Sequence, residues 1–409
     1  MADPSILEAA VDQRLLPSDV EHTPFNPEEA ATDSQALLLR ERRKRRRKGR
    51  FIFLISLAVI LALLLAILLL ISIPLYFRGH RYASQPRLFN GTDYFLPTVV
   101  MVSIDGFRAD YLDRYSPNYL TKLALDGVRA DWMYPSFPSS TFPNHYTLVT
   151  GLVPSHHGII ANSFYSPVHN QTFNYKSPSQ SHPGFWWDGG NPIWNVMVEQ
   201  GGTSAVHMWP GSQSVIRGHK PTVVDDFEPD WEMTRKAERV LGWIDGRRDY
   251  SSGEIVSRMG LMCVYIDTVD HVGHAQGPNG TDMMEAVNSV DRGFFGALLR
   301  GLEDRNLTNI VNVVVVSDHG MADVTEWVYV DDMLDLEHEV DADVHGLPLG
   351  LLWPKPGISI DSLYSRLKKY AFKNKKRSWD VFKREEIPEA YQYRDNPSIP
   401  PLVLLPQVV

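Results

Sequence analysis

Five side chains suited to gripping divalent cations are scattered along this chain, each at or just past the end of an apolar run. Asp105 follows residues 99–104, Asp270 and His274 form a D-x-x-x-H pair beyond Leu261–Ile266, and Asp318-His319 follows residues 313–317. Between them a hydroxyl, that of Thr141, stands in Ser139-Ser140-Thr141-Phe142-Pro143-Asn144-His145. Carboxylates, imidazoles and one hydroxyl are the parts of a phosphoester-cleaving centre. A phosphate diester repels nucleophiles with its own charge, so such a centre wants two cations about 4 Å apart, one at the attacking oxygen and one at the leaving oxygen. A threonine hydroxyl is nearly unreactive at neutral pH until a metal or base takes its proton.

Taken singly, each residue has a plainer reading. Asp105 suits a turn or a helix N-cap, Asp318-His319 a strand-end turn, and His274 an exposed surface. Asp267 lies nearer the apolar run than Asp270 and has His271 four residues later, so the D-x-x-x-H pair can be read in two registers. Pro143 and Gly151 bracket a short helix over residues 144–150, which puts Thr141 at its positive end or makes it the cap. Asn162, in GLVPSHHGIIANSFY, carries an amide able to donate to a phosphoryl oxygen. His156 and His157 are adjacent, so their side chains diverge and make a poor chelate. The order and number of these residues together favour the site over the separate plain readings.

The elements that must position them are legible as alternating strands and helices. Strands are expected over residues 98–104, 203–208, 261–266 and 310–317, and helices over 111–126, 193–200 and 282–302. Near-continuous Val, Ile and Met strands separated by helices imply an α/β fold, a mostly parallel central sheet with helices on both faces. Ligands then gather at the carboxyl ends of strands, where Asp105, Asp270 and Asp318 fall. No internal repeat is present.

The 409 residues are 44% apolar with a formal net charge of −9. Residues 1–50 are near charge balance, so the rest carries about −10, which argues against a surface that coats nucleic acid. One cysteine, Cys263, excludes an intrachain disulfide and a Cys-rich zinc site, and its apolar setting implies an inert buried thiol. Residues 51–77 contain no charge and are long enough to cross a bilayer. RERRKRRRKGR, residues 40–50, precedes them, and this asymmetry holds the N-terminus in the cytosol. Four glycosylation tripeptides begin at Asn90, Asn170, Asn279 and Asn306, all beyond the span. The reading is a single-pass type II chain: a disordered cytosolic tail over 1–50, an anchor over 51–77, a stalk over 78–96 and a catalytic domain over 97–409. The domain then lies outside the cell or in a lumen, and the basic run suits anionic headgroups at the inner leaflet.

From residue 98 to about 323 the chain resembles the nucleotide pyrophosphatase/phosphodiesterase family of the alkaline phosphatase superfamily. The resemblance is carried by VVMVSIDGFRADYL, PSFPSSTFPNHYTLVTGLVPSHHGIIANSFY, GGNPIW, WPGS, DHVGHAQGP and VVVVSDHGM. It implies two zinc ions, one held by Asp105, Thr141, Asp318 and His319, the other by Asp270, His274 and a further histidine. It also favours Asp270 over Asp267, since the family's Gly-His matches Gly273-His274. Thr141 would attack phosphorus, Asn162 would hold a non-bridging oxygen, and Phe142 and Trp209 would flank the base of a nucleotide, with Tyr175 beside them. Gln213 stands where the family often has an acid. The family's final histidine lies in a Gly-His-Gly-type segment that this sequence lacks; His338 and His345 have other contexts. A C-terminally incomplete domain, with its second zinc site short of a ligand, is therefore the expectation. The rival readings are a lipid-headgroup phosphodiesterase on the same fold and an inactive ectodomain with a binding role. A sulfatase is disfavoured, because Cys263 is not in a C/S-x-P-x-R setting.

Overall fold

The computed structural model describes residues 27–80, 85–246, 258–324, 329–341, 349–373 and 379–406. Its central sheet has five strands, all paired in parallel: β1 (Thr98–Ile104), β2 (Ser204–His207), β3 (Val223–Asp225), β4 (Leu261–Ile266) and β5 (Val311–Val316). Their spatial order is β3-β2-β4-β1-β5. Successive strand residues face opposite sides, so one apolar run feeds two cores. Met262, Val264 and Ile266 of β4 join Val100, Val102 and Ile104 in one core, while Leu261, Cys263 and Tyr265 join Val206 in the other. All six residues of β4 are buried, which is why the run shows no polar alternation. Cys263 is a free, buried thiol, as its setting implied.

The α/β architecture read from the sequence is the one observed, with differences at element ends. The helix expected over 111–126 is two helices, Tyr111–Tyr115 and Asn118–Asp126. Ser116, at φ 44°, breaks them because a following proline excludes the helical conformation there. The expected 282–302 helix contains a π-turn, Val290–Phe295, which buries Asp291 and lets it accept hydrogen bonds from the backbone N–H groups of Tyr119 and Leu120. A second, antiparallel sheet lies beyond the elements assigned from sequence. Val340–Asp341, Gly350–Pro354, Leu402–Pro406 and Trp379–Lys383 pair in that order. Leu363 and Leu367 of the helix Ile360–Lys373 pack with Trp379, Val381, Leu402 and Leu404 in a core of their own.

The N-terminal unit contains one helix, α1 (Pro27–His80), whose segment Leu38–Ile73 is long and apolar enough to cross a membrane. Residues 27–50 are thus helical where a disordered tail was expected, because Ala, Leu, Glu, Arg and Lys dominate there. Residues 1–26 lie outside the described part. The stalk expectation also fails in its second half. Leu88–Phe89 and Tyr94–Phe95 form a hairpin, and Phe95 is buried in the first core.

Candidate metal and nucleophile site

The strand order brings the scattered acids together. β4, β1 and β5 are neighbours, with Ile104 paired to Ile266 and Ser103 to Val316. Asp105 occupies the next rung, its N–H donating to Ile266 O at 2.8 Å. Asp318-His319 lies one residue past β5, and Asp270 in the first turn of α2 (Thr268–Gln276), which follows β4. Ligand atoms of Asp105, Asp318 and His319 all lie within 4.8 Å of one another. His319 Nε2 is 3.1 Å from Asp318 Oδ2 and 3.5 Å from both Asp105 Oδ1 and Thr141 Oγ1. Its Nδ1 is 2.8 Å from Gly320 O and donates there, which turns the Nε2 lone pair toward the three oxygens.

Each carboxylate is half satisfied. Tyr265 donates its hydroxyl to Asp105 Oδ2 at 2.5 Å, and the Gly106 N–H donates to Asp318 Oδ1 at 3.2 Å. The remaining oxygens, Asp105 Oδ1 and Asp318 Oδ2, are buried with no hydrogen-bond partner, as is Asp270 Oδ1. Buried acceptors are normally paired, so the two orphans in the Asp105–Asp318–His319 cluster, with a third on Asp270 beside Gly106, ask for a cation. Burial pushes Asp318 up to about 7. Burial, then the charges of Asp318 and Asp270, push Asp105 well above the carboxylate range, and burial raises Asp270. Two buried like charges with a half-buried third cannot all stay ionised alone, whereas a divalent ion would hold them so. Carboxylate, imidazole and hydroxyl donors fit zinc.

Gly106 admits Asp270 to this group. Its φ is +68°, and a Cβ there would stand 3.0 Å from Asp270 Cα and Cβ. Gly106→Ala should therefore displace Asp270 and strain the turn, lowering stability by about 1–2 kcal/mol and weakening metal retention. Metal content after dialysis and a thermal melt check this; retained metal with an unchanged melt would refute it. His274 sits one turn beyond, exposed, with Nε2 3.4 Å from Asp270 Oδ2. Of the alternative register, Asp267 precedes the helix beside the charge of Lys236 and His271 is exposed.

Thr141 is the first residue of the helix Thr141–Thr150, and Ser140 occupies the cap position. The helix starts three residues earlier than read, so Thr141 is not the cap and its hydroxyl is available at the positive helix end. His145, which sequence reasoning passed over, lies one turn on. It donates from Nδ1 to Thr141 O at 2.8 Å and accepts at Nε2 from Ser103 Oγ at 2.9 Å. Burial pushes its imidazole down to about 3, so it stays neutral. Its i,i+4 spacing from Thr141 was the available signal. Tyr265 was likewise missed, although it stands one rung before the end of a strand beside Asp105.

Asn162 joins the nucleophile loop to the aromatic residues. Its Oδ1 accepts from the Phe142 N–H at 2.8 Å and its backbone O from the Tyr175 N–H at 3.1 Å. The Phe142 and Tyr175 rings are 5.4 Å apart. Trp209 differs from expectation. It is 0% exposed, donates from Nε1 to His145 O at 3.1 Å and meets that imidazole edge-on, so it braces His145 and cannot stack on a base. His157 is buried against Thr147 Oγ1 and Pro143 O, a packing role, and His156 is exposed. His338 is exposed and pairs with Asp335, while His345 lies outside the described residues.

Among the glycosylation tripeptides, Asn90 is overturned as an acceptor. It is buried and its Nδ2 donates to Arg305 O at 2.8 Å. Asn170, Asn279 and Asn306 are exposed. Asn170 holds Tyr165 OH through Oδ1, Asn279 meets Arg114 and Asp323, and Asn306 Nδ2 donates to Asn90 O.

Known proteins share this arrangement. The family model described as type I phosphodiesterase / nucleotide pyrophosphatase matches residues 99–408. A pyrophosphatase/phosphodiesterase of Schizosaccharomyces pombe, itself described as uncharacterised, is 38% identical over 325 residues, covering 78% of this chain and 64% of that protein. Mouse ectonucleotide pyrophosphatase/phosphodiesterase family member 3 is 38% identical over 256 residues, covering 62% of this chain and 28% of the relative. The chain thus spans less than two thirds of either. A solved structure of murine ectonucleotide pyrophosphatase/phosphodiesterase 5, an inactive threonine-to-alanine variant in complex with AMP, superposes with a TM-score of 0.67 at 30% identity, covering 76% of this chain and 78% of that one. Fold and the match over residues 99–408 agree, and the chain belongs to the type I phosphodiesterase / nucleotide pyrophosphatase family.

Proposed function

We propose that this chain hydrolyses phosphodiester and pyrophosphate bonds of nucleotides, releasing nucleoside 5′-monophosphates. The observation that carries the reading is the Thr141 hydroxyl 3.5 Å from His319 Nε2, beside three buried carboxylate oxygens without partners. Asp105, Thr141, Asp318 and His319 would hold one zinc ion, and Asp270 and His274 would contribute to a second. Two such ions, when bound, supply the positive charge that acidifies a hydroxyl and neutralises a leaving oxygen. Thr141 Oγ would attack phosphorus and expel the leaving group, giving a threonyl-nucleotide ester. Water would then hydrolyse that ester, returning the Thr141 hydroxyl and releasing the monophosphate. The inactive threonine-to-alanine murine relative holding AMP supports both the residue type and the ligand.

Asn162 suits the non-bridging oxygen, because its Oδ1 is committed to the Phe142 N–H and its NH2 is left to donate. Asn162→Ala should lower kcat about 10²–10³-fold while KM shifts far less, the pattern of a donor used in the transition state. A change confined to KM would reject that role. Phe142 and Tyr175, in contact with each other, would offer the base one continuous apolar ring surface, a mode tolerant of base identity. Chelator-sensitive release of nucleoside monophosphate from ATP or a nitrophenyl nucleotide diester tests the whole reading. Hydrolysis indifferent to chelation would overturn it, and faster cleavage of a choline phosphodiester would move the substrate to lipid headgroups.

The same reading makes residues 51–77 a single-pass anchor, with the N-terminus in the cytosol and residues 97–409 on the far side of the membrane. Asn170 and Asn279 would carry the glycans there, whereas the Asn306 amide is engaged by a backbone carbonyl as that of Asn90 is.

A further inference from the structure

We propose that Tyr265 sets the metal preference of this site, favouring zinc over calcium by keeping the second oxygen of Asp105 from the cation. The inference rests on the zinc-dependent phosphodiesterase reading above. Each fully buried acid offers the site a single oxygen. The Tyr265 hydroxyl occupies Asp105 Oδ2 at 2.5 Å, and the Gly106 N–H occupies Asp318 Oδ1 at 3.2 Å. Asp105 Oδ1 and Asp318 Oδ2 are left without partners.

With His319 Nε2 and Thr141 Oγ1, the donors gathered here number four. His319 Nε2 stands 3.1 Å from Asp318 Oδ2 and 3.5 Å from both Asp105 Oδ1 and Thr141 Oγ1. Ligands about 2.0–2.1 Å from one ion lie roughly 3.3 Å apart in a tetrahedron, the arrangement zinc takes. Calcium takes about 6–8 oxygens and often draws both oxygens of a carboxylate. A free Asp105 Oδ2 would add a fifth donor and move the site toward such a cation. Calcium sites outside cells are tuned to about 10⁻⁴–10⁻³ M, so buried acids in that setting meet calcium in abundance.

The fold fixes the hydroxyl where it is needed. Tyr265 pairs in register with Ser103, and Asp105 follows two residues later on the same face of the sheet. The Tyr265 ring is buried in the core that holds Val206 and Cys263, and it meets the His145 imidazole edge-on at 4.9 Å. These contacts hold the ring against Asp105. The Gly106 donor is backbone, so Tyr265 is the side chain that decides how many oxygens the two acids present. A buried hydrogen bond that only held the fold would act alike on every metal. A change of preference is therefore the signature of this role.

The test uses the full chain in detergent, loaded with zinc and dialysed against graded calcium at one fixed free zinc concentration, with bound zinc counted afterwards. Tyr265→Phe keeps the ring and deletes the hydroxyl. It should raise the zinc dissociation constant about 10–100-fold and leave calcium bound no more weakly. Half of the zinc should then be displaced at a calcium concentration at least tenfold lower than in the parent. Ser103→Ala removes a hydroxyl of the same face that bonds His145 and not an acid, and should match the parent. Half-displacement at the same calcium concentration in Tyr265→Phe and the parent, or in neither, would overturn the proposal and leave the zinc reading intact. An equal drop in Ser103→Ala, or a Tyr265→Phe protein that is unfolded in chelator, would assign the hydroxyl to the fold alone and reject the proposal. A parent that retains no zinc would overturn the phosphodiesterase reading as well.

Discussion

Replacing Thr141 with alanine is expected to remove at least about 10³-fold of the turnover of a nitrophenyl nucleotide diester, with little change in stability. The large kinetic loss follows from the hydroxyl's position beside His319 Nε2 and the unpartnered oxygens of Asp105 and Asp318. The small structural cost follows from what Thr141 does not do. Ser140 holds the cap position, and His145 braces the turn through Thr141's backbone carbonyl, which alanine keeps. Initial rates and a thermal melt on the same preparation check both halves. Thr141→Ser keeps a hydroxyl at the same point and should retain a measurable share of the rate. A Thr141→Ala enzyme with more than a few per cent of parental activity would exclude Thr141 as the nucleophile.

Asp318→Asn should act in opposite directions on the loaded and the metal-free protein. With zinc present, loss of a charged ligand should weaken metal binding and lower turnover on the order of 10³-fold. Without metal, the buried carboxylate is a burden. Its folded pKa is pushed up to about 7 from an ordinary 3.8, so the native state holds this proton more tightly than the unfolded chain does. The stability it confers is complete below about pH 4 and is lost as pH rises through about 7. Asparagine needs no proton, so the metal-free variant should melt higher than the metal-free parent at pH 8, by on the order of 5 °C, and the gap should close at pH 4. Melts in chelator and in zinc at both pH values give all the arms. A metal-free variant that melts lower than the parent at pH 8 would refute the account of three competing charges.

The apolar runs gave the strands because the central ones, β2 and β4, are buried on both faces, a condition that leaves near-continuous Val, Ile and Met in the sequence; β5 has the same Val-rich run although Asn312 and Val314 are exposed. Asp105 and Asp318 were legible for the same reason: a charge directly after such a run has nowhere to go but the rim. What escaped were the groups whose role depends on partners far along the chain. Tyr265 reads as one more apolar strand residue until β1 places Asp105 beside it. Trp209 was placed beside the base only by the family resemblance; its burial under His145 is set by packing that no local pattern records. Asn90 satisfies the glycosylation tripeptide, yet its amide is consumed by a carbonyl 215 residues away. Pro143 does not mark the boundary that a start at residue 144 implies, because proline is tolerated throughout the first turn and the helix begins at Thr141.

The strand order has a consequence for how this protein is made. β1 is synthesised first, yet its two sheet neighbours, β4 and β5, are made last. β4 follows it by about 160 residues and β5 by about 200, so at about 5–20 residues per second its hydrophobic backbone waits on the order of 8–30 s without a companion on either edge. Until β4 has emerged, no pair of metal-binding acids from different strands can meet. The cluster of Asp105, Asp318 and His319 is therefore completed late in biogenesis, once β5 has emerged.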